Sequence, residues 1–364
     1  MLNVTQTQPM LNVTQSFVPP LEEYMAYVQR CFDNAWLTNR GELVQELEGK
    51  LAEYLEVPYL TLTANGTLPL QLAIKALDLK GEIITTPFSF VATTSSIIWE
   101  GCTPVFVDIE PEYLTIDPSK IREAITSKTS AILATHVFGN PCDVEIIEQI
   151  AKEYGLKVIY DGAHAFGVKY KGRSIFEYGD VSTCSFHATK LMHTGEGGAF
   201  FSSDVQIFEK MFIQHNFGYF GPYNFEEVGI NAKMSELHAA MGLAVFNHLG
   251  EIISYRQNVV EHYQKSLSKR FELLKIRPET QWNYHYFPVI FDNEKDLLKA
   301  IAQLSSHQIH PRRYYYPSLN NLKYIETTEM PVSDDYAKRI LCLPLSASIT
   351  LGEQDLICEL LMNL

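Results

Sequence analysis

Between residues 22 and 203, short β-branched or apolar runs alternate with amphipathic stretches, and this alternation leaves the chain few architectures. The runs are EIITT (82–86), TPVFVD (103–108), SAILATHV (130–137), LKVIYD (156–161), VSTCSF (181–186) and GAFFSS (198–203). Helical spacing of apolar residues falls at 21–33, 43–55, 67–77, 92–99, 118–125 and 143–154. Asp117-Pro118 is a helix start in which the carboxylate takes orphan N–H groups and proline suits the first turn. Runs that are apolar throughout must be covered on both faces, so the expectation is an α/β fold with a mostly parallel sheet sandwiched by helices.

Beyond Ser235 the texture changes. SELHAAMGLAVFNHLGEIISYRQNVVEHYQKSLSKRF reads as one long helix to about residue 271, interrupted by glycine. It predicts an exit from a large domain (16–245) into a smaller C-terminal α+β domain (246–364). No Gly-, Pro- or Ser-rich linker separates the two, so they are expected to share an interface. MLNVTQ at 1–6 returns at 10–15, which reads as a duplicated or alternative start, and residues 1–15 are expected to form a flexible extension.

Charge and cysteine usage narrow the function classes. Lys+Arg 29 against Asp+Glu 43 gives −14, which disfavours binding to nucleic acid, since a phosphate backbone needs a basic face. A local pocket can still take a small anion. The six cysteines are scattered without a CxxC pair, as in a reducing compartment. No stretch reaches the roughly 18 apolar residues of a membrane helix, and the start has no secretory pattern. The expectation is a cytoplasmic protein without a membrane partner.

In open α/β sheets, ligands bind at the carboxyl ends of the strands. Three features fall there. Asn65-Gly66-Thr67 precedes a helical pattern; it reads either as a phosphate cradle of backbone N–H groups and a hydroxyl, or as a plain N-cap. Asp161 ends a strand; it either caps the next helix, binds a metal, or holds a proton on a heteroaromatic nitrogen. Lys190 comes after VSTCSF in a loop rich in small residues; it is either an exposed loop lysine or a desolvated Schiff-base former. Together they are the parts that a pyridoxal phosphate site requires. Cys184, His187 and His193 match no zinc spacing, so no metal is expected.

The ordered blocks WLTNRGELVQELEGKLAEYL, LTANGTLPLQLAI, TTPFSFVATTSSI, GCTPVFVDI, THVFGNPCDV, VIYDGAHAFGVKYKG, GDVSTCSFHATKLMHTGEGGAF and GINAKMSELHAAMGL resemble the DegT/StrS group of sugar aminotransferases, which are fold-type I pyridoxal-phosphate enzymes. The resemblance runs from about residue 20 to the C-terminus, and it implies that the mostly parallel sheet has seven strands. It implies that Lys190 bonds the cofactor and later moves protons, and that Asp161 keeps the pyridine nitrogen protonated. It implies that Phe90 stacks on one face of the ring and His164 covers the other. Gly66, Thr67 and Ser185 would bind the phosphate, and Asn231 would reach the phosphate of the partner subunit's cofactor, making the active unit a homodimer.

Two departures from the family pattern stand out. Tyr160 replaces the usual acidic residue before Asp161, and HQIHPRRYYYPSLN carries an Arg312-Arg313 pair and three consecutive tyrosines. This region of the family tends to contact the nucleotide, so Arg312, Arg313 and Tyr314 are candidates for binding substrate, although exposed loop arginines are also common. The function expected from the resemblance is transfer of an amino group from L-glutamate to a nucleotide-linked keto sugar, with a lean towards C4 of dTDP-4-keto-6-deoxyglucose for surface polysaccharides. Amination at C3 of the 3-keto isomer, a dehydratase and a non-catalytic regulator are the alternatives. The dehydratases have His in place of Lys190, and a regulator has no need of Lys190, Asp161 and His164 together.

Overall fold

The alternating runs assemble into one sheet. In the computed structural model, which describes residues 10–364 apart from Pro222, the strands through residue 201 are β1 (Leu11–Asn12), β2 (Leu60–Thr63), β3 (Glu82–Thr85), β4 (Thr103–Phe106), β5 (Thr129–Thr135), β6 (Lys157–Asp161), β7 (Lys169–Tyr170), β8 (Arg173–Ser174), β9 (Val181–Ser185) and β10 (Gly198–Phe201). Seven of them form the central sheet, in the order β2-β10-β9-β6-β5-β3-β4. β10 runs antiparallel to both neighbours, and the other pairs are parallel. The expected mostly parallel seven-stranded sheet is present. β2 is only LTLT, too short to show a period of its own, and it joins through the antiparallel β10.

The helices over the same span are α1 (Leu21–Asp33), α2 (Glu42–Leu55), α3 (Leu68–Ala76), α4 (Val91–Trp99), α5 (Pro118–Ala124), α6 (Val144–Tyr154) and α7 (Val205–Gln214). Strand residues alternate between two cores, as the pleat demands. Ile84, Ile132, Ala134 and Val158 pack with Leu47 of α2 and Ile147 of α6. Their neighbours Ile83, Ala131, Leu133 and Ile159 pack with Ile74 of α3 and Ile97 of α4. Both faces of the sheet are therefore dry, which explains why its strands lack a polar alternation.

The single long helix is corrected to two, α8 (Glu236–Phe246) and α9 (Leu249–Leu267), broken at Asn247-His248. The break is not at a glycine. Gly242 lies inside α8, where a Cβ would come within 2.5 Å of Leu47 Cδ2, so its absence lets α8 pack closely on α2.

The remaining elements are β11 (Glu272–Leu273), β12 (Thr280–Gln281), β13 (Pro288–Ile290), α10 (Glu294–Ser306), β14 (Ile309–His310), α11 (Pro331–Arg339), β15 (Ile340–Cys342) and α12 (Leu351–Met362). β11, β13 and β15 make a three-stranded antiparallel sheet. α9, α10 and α12 share its core through Tyr263, Leu297 and Ile357. The chain ties this part to the large sheet with a buried carboxylate. Asp108, just after β4, accepts the Val332 and Ser333 N–H groups at 2.9 and 2.8 Å and the Ser333 hydroxyl at 2.5 Å, all at the start of α11.

The expected flexible extension is wrong over residues 10–15. β1 pairs in parallel with β14, and Leu11 and Val13 are buried. Two apolar side chains with a sheet edge to pair have enough to hold them, despite the polar residues between. Residues 1–9 of that expected extension lie outside the described residues. All six cysteines are buried free thiols. Among the described residues, no helix is long and apolar enough to cross a membrane.

Candidate active site

The carboxyl ends of β6 and β9 open into a cleft of about 270 Å³, lined by Gly66, Thr67, Phe90, Asp161, His164, Ser185, Lys190, Arg312 and Tyr314. Nine of the eleven candidate residues named from sequence meet there.

Asp161 is the last residue of β6 and is buried. Its Oδ2 accepts the Thr93 hydroxyl at 2.7 Å, and its Oδ1 accepts the Ala163 N–H at 3.0 Å. The Thr93 hydroxyl lies 2.7 Å from Ser89 Oγ, which lies 3.0 Å from Thr135 Oγ1. A chain of three hydroxyls thus fixes the carboxylate at the strand tip. Its job is orientation: the carboxylate keeps acceptor capacity directed at the cleft.

Lys190 sits in the loop between β9 and β10. That loop is pinched shut by Ala188 N–H to Gly195 O at 2.7 Å and Phe186 N–H to Gly197 O at 2.8 Å. Desolvation pushes the Lys190 ammonium down to about 8, against the opposing pull of Asp161. An amine near 8 is neutral for a useful fraction of the time at neutral pH, which makes it nucleophilic. Behind it, burial pushes the Cys184 thiol up to about 12, so Cys184 offers no competing nucleophile.

The Asn65-Gly66-Thr67 turn serves both purposes weighed for it. Asn65 Oδ1 accepts the Thr67 and Leu68 N–H groups at 2.9 and 3.0 Å, so Asn65 caps α3. That leaves the Gly66 N–H and the Thr67 and Ser185 hydroxyls in the cleft lining. A Cβ at Gly66 would come within 2.7 Å of Ser185 Cβ, and one at Gly198 within 2.4 Å of Asn65 O. The two glycines allow the turn to close on β9 and β10, forming a small anion-sized cradle.

Phe90 is half-exposed at the start of α4, and His164 is buried on the loop after β6. His164 Nδ1 accepts the Phe138 N–H at 3.2 Å. Desolvation first, then Lys190 and His285, hold this imidazole well below its ordinary range, so it is neutral.

Two candidates lie elsewhere. Arg313 is turned away from the cleft: its Nη2 donates to Glu294 Oε1 at 2.6 Å, and its guanidinium covers the Tyr316 ring. Asn231 is exposed, bridged to Asn216, and does not line the cleft of its own chain. Sequence reasoning missed Ser89, Thr93, Thr135, Tyr286 and Tyr315, which line or support the cleft. A signal existed for two of them, since Ser89 and Thr93 flank Phe90 at helical spacing in SFVAT.

The profile of the DegT/DnrJ/EryC1/StrS aminotransferase family matches residues 21–362. The chain belongs to this family. It is 42% identical over 346 residues to a dTDP-4-amino-4,6-dideoxy-D-glucose transaminase of Shigella dysenteriae, covering 93% of this chain and 94% of that one. It is 40% identical over 347 residues to a protein of the same name from Escherichia coli, covering 92% and 93%. Among solved structures, that of DesI in the presence of its TDP-sugar product superposes with a TM-score of 0.92 at 31% identity, covering 98% of this chain and 92% of that one.

The chain is a pyridoxal-phosphate-dependent aminotransferase whose substrates are a nucleotide sugar and an amino donor. The cleft suits that cofactor. It supplies an amine depressed to about 8, a fixed carboxylate, and a cradle in which Gly66 closes on Ser185 more tightly than a Cβ would allow.

Proposed function

We propose that the protein transfers the amino group of L-glutamate to C4 of dTDP-4-keto-6-deoxyglucose, giving dTDP-4-amino-4,6-dideoxyglucose for a surface polysaccharide. The observation that carries this reading is the company Arg312 keeps. It shares the cleft with Lys190 and Asp161, and it forms no ion pair among the described residues, whereas Arg313 is neutralised by Glu294. A guanidinium that rests on Tyr314 with no carboxylate partner among the described residues, beside a depressed amine, fits a diphosphate-linked sugar on an otherwise acidic protein. The names of the Shigella dysenteriae and Escherichia coli relatives favour the C4 product.

When bound, the cofactor supplies an electron sink for the carbon that loses or gains nitrogen. Lys190 would hold it through Nζ and, once freed, would move a proton at the substrate carbon. Asp161 would hold a proton on the ring nitrogen. Phe90 and His164 would flank the ring, and Gly66, Thr67 and Ser185 would take the phosphate. Tyr314, beside Arg312, orients the nucleotide-linked sugar.

The active unit in this reading is a cytoplasmic homodimer, each chain a large domain to residue 245 and a small one from 246. Asn231 completes the partner's phosphate site. Support comes from the exposed apolar side chains of Phe217, Phe220, Phe225 and Val228, shortly before Asn231, which a second copy would cover.

The test offers L-glutamate with dTDP-4-keto-6-deoxyglucose and with its 3-keto isomer separately, with NMR of the product. Amine at C4 from the first sugar is the expected result. Amine from the 3-keto isomer alone, or only from a GDP-linked keto sugar, overturns the substrate assignment.

A further inference from the structure

The second MLNVTQ copy (10–15), continued by Ser16 and Phe17, runs between the parts of the chain that carry Arg312 and Lys190. On one side it is stitched to the residues just before Arg312. Leu11 N–H donates to Gln308 O at 3.0 Å, and Val13 N–H donates to His310 O at 3.1 Å. Leu345 N–H donates to Val13 O at 3.1 Å, so both backbone groups of Val13 are paired. The Val13 side chain is buried in the same apolar cluster as Tyr286, Tyr314 and Tyr315, three tyrosines of the cleft lining.

On the other side the segment reaches the loop that carries Lys190. His193, three residues after the lysine, is buried, and its Nε2 lies 2.7 Å from Phe17 O. A carbonyl oxygen only accepts, so Nε2 carries the proton. Nδ1 accepts the Gly195 N–H at 3.3 Å and carries none, so the imidazole is neutral and its one N–H is donated to Phe17. Among the described residues, the other hydrogen bonds of residues 187–195 stay within 185–197. The His193 bond is therefore what ties this loop, by a directed contact, to another part of the chain. Leu191 and Met192 add apolar packing, which has no direction of its own.

We propose that residues 11–17 are a positioning strap for the reaction: they back the tyrosine wall beside Arg312 through Val13 and hold the Lys190 loop through His193. One short segment then fixes the spacing between the amine and the wall that faces the substrate. The inference rests on the cofactor placement under Proposed function, but not on which sugar is aminated. The groups facing Lys190 are Asp161, Cys184, Arg312, His164 and His285, and His187 faces His193. The strap itself, LNVTQSF, contains no titratable side chain, so it acts on Lys190 through position alone.

The test follows cofactor attachment to the apo-protein across pH by stopped-flow absorbance, with steady-state kinetics alongside. The wild-type midpoint is expected near 8. A loosened loop admits water to the amine, relieves its desolvation and moves the midpoint up towards 10.5. His193→Leu should do this and lower kcat about tenfold, with KM for the sugar within about twofold of wild type. His193→Gln, which can keep an N–H on Phe17 O, should restore most of the wild-type behaviour. Val13→Asp expels the strap, and Val4→Asp accompanies it so that the first MLNVTQ copy cannot take its place. This variant should move the midpoint as far as His193→Leu does and also raise KM for the sugar about fivefold. Adding His193→Leu to it should move the midpoint no further, because the bond to Phe17 is already lost. A wild-type midpoint in the Val4→Asp, Val13→Asp variant, or displacements that add in the combined one, overturns the proposal. If that variant does not fold, equal midpoints for His193→Leu and His193→Gln overturn it. The wild-type midpoint tests the cofactor placement by itself, and the displacements test the strap.

Discussion

Burial, Asp161 and Arg312 together set the chemistry of Lys190. Burial drives the amine down to about 8, and the carboxylate pulls the other way, while Arg312 pushes down with it. The neutral amine is the reactive form, so attachment of cofactor to the apo-protein should quicken as pH rises through about 8, well below the ordinary lysine value of 10.5. Asp161→Asn removes the group that favours the charged amine and should move that midpoint down. Arg312→Gln removes a repelling cation and should move it up. Stopped-flow absorbance across pH reads both, and two unmoved midpoints would separate Lys190 from this cleft. This candidate pair was legible because each residue ends or closely trails a short apolar run, a local pattern. Tyr315 and Thr93 were not, because they meet His164 and Asp161 across 151 and 68 residues of sequence. Arg312 and Arg313 could not be told apart in sequence. Successive side chains of extended backbone point to opposite sides, and here one meets the cleft and the other Glu294.

Among elements, the firmest expectation was the sheet and the least secure was the helix pattern after residue 235. Apolar periodicity runs unbroken through Asn247-His248, so nothing local in it marks the end of α8. A glycine in a helix reads as a weak point, yet Gly242 is there for close approach to Leu47. The tie between Asp108 and α11 was equally invisible, since it spans 225 residues. It carries a stability prediction. Asp108→Ala would strand the Val332 and Ser333 N–H groups in a buried setting. The expected loss is about 1–3 kcal/mol, read as a lower midpoint of urea unfolding. A wild-type midpoint would mean that α11 is held by its apolar contacts alone.

For the molecule as a whole, one chain already assembles the cleft. Asn231 and the apolar residues before it are exposed, and in the proposed homodimer a second copy would meet them. Sedimentation should give twice the mass of 41.4 kDa. Asn231→Ala should keep that mass and weaken cofactor binding about tenfold, the loss of roughly one charge-assisted hydrogen bond. Unchanged affinity in the variant would exclude the contact across the interface. The net charge of −14 left room for a small anion only in a local pocket, and nine of the residues named from sequence line one cleft. The sequence pattern could not reveal the docking of β1 on β14, whose two strands lie almost 300 residues apart.

The central claim is that this cleft is the reaction centre, with Lys190 as the residue that bonds the cofactor. Borohydride reduction of the holoenzyme, then proteolysis and mass spectrometry, tests it directly. The account predicts the added cofactor mass on the peptide containing Lys190 and nowhere else. Cofactor mass on another lysine, such as Lys233, or on none, would contradict it.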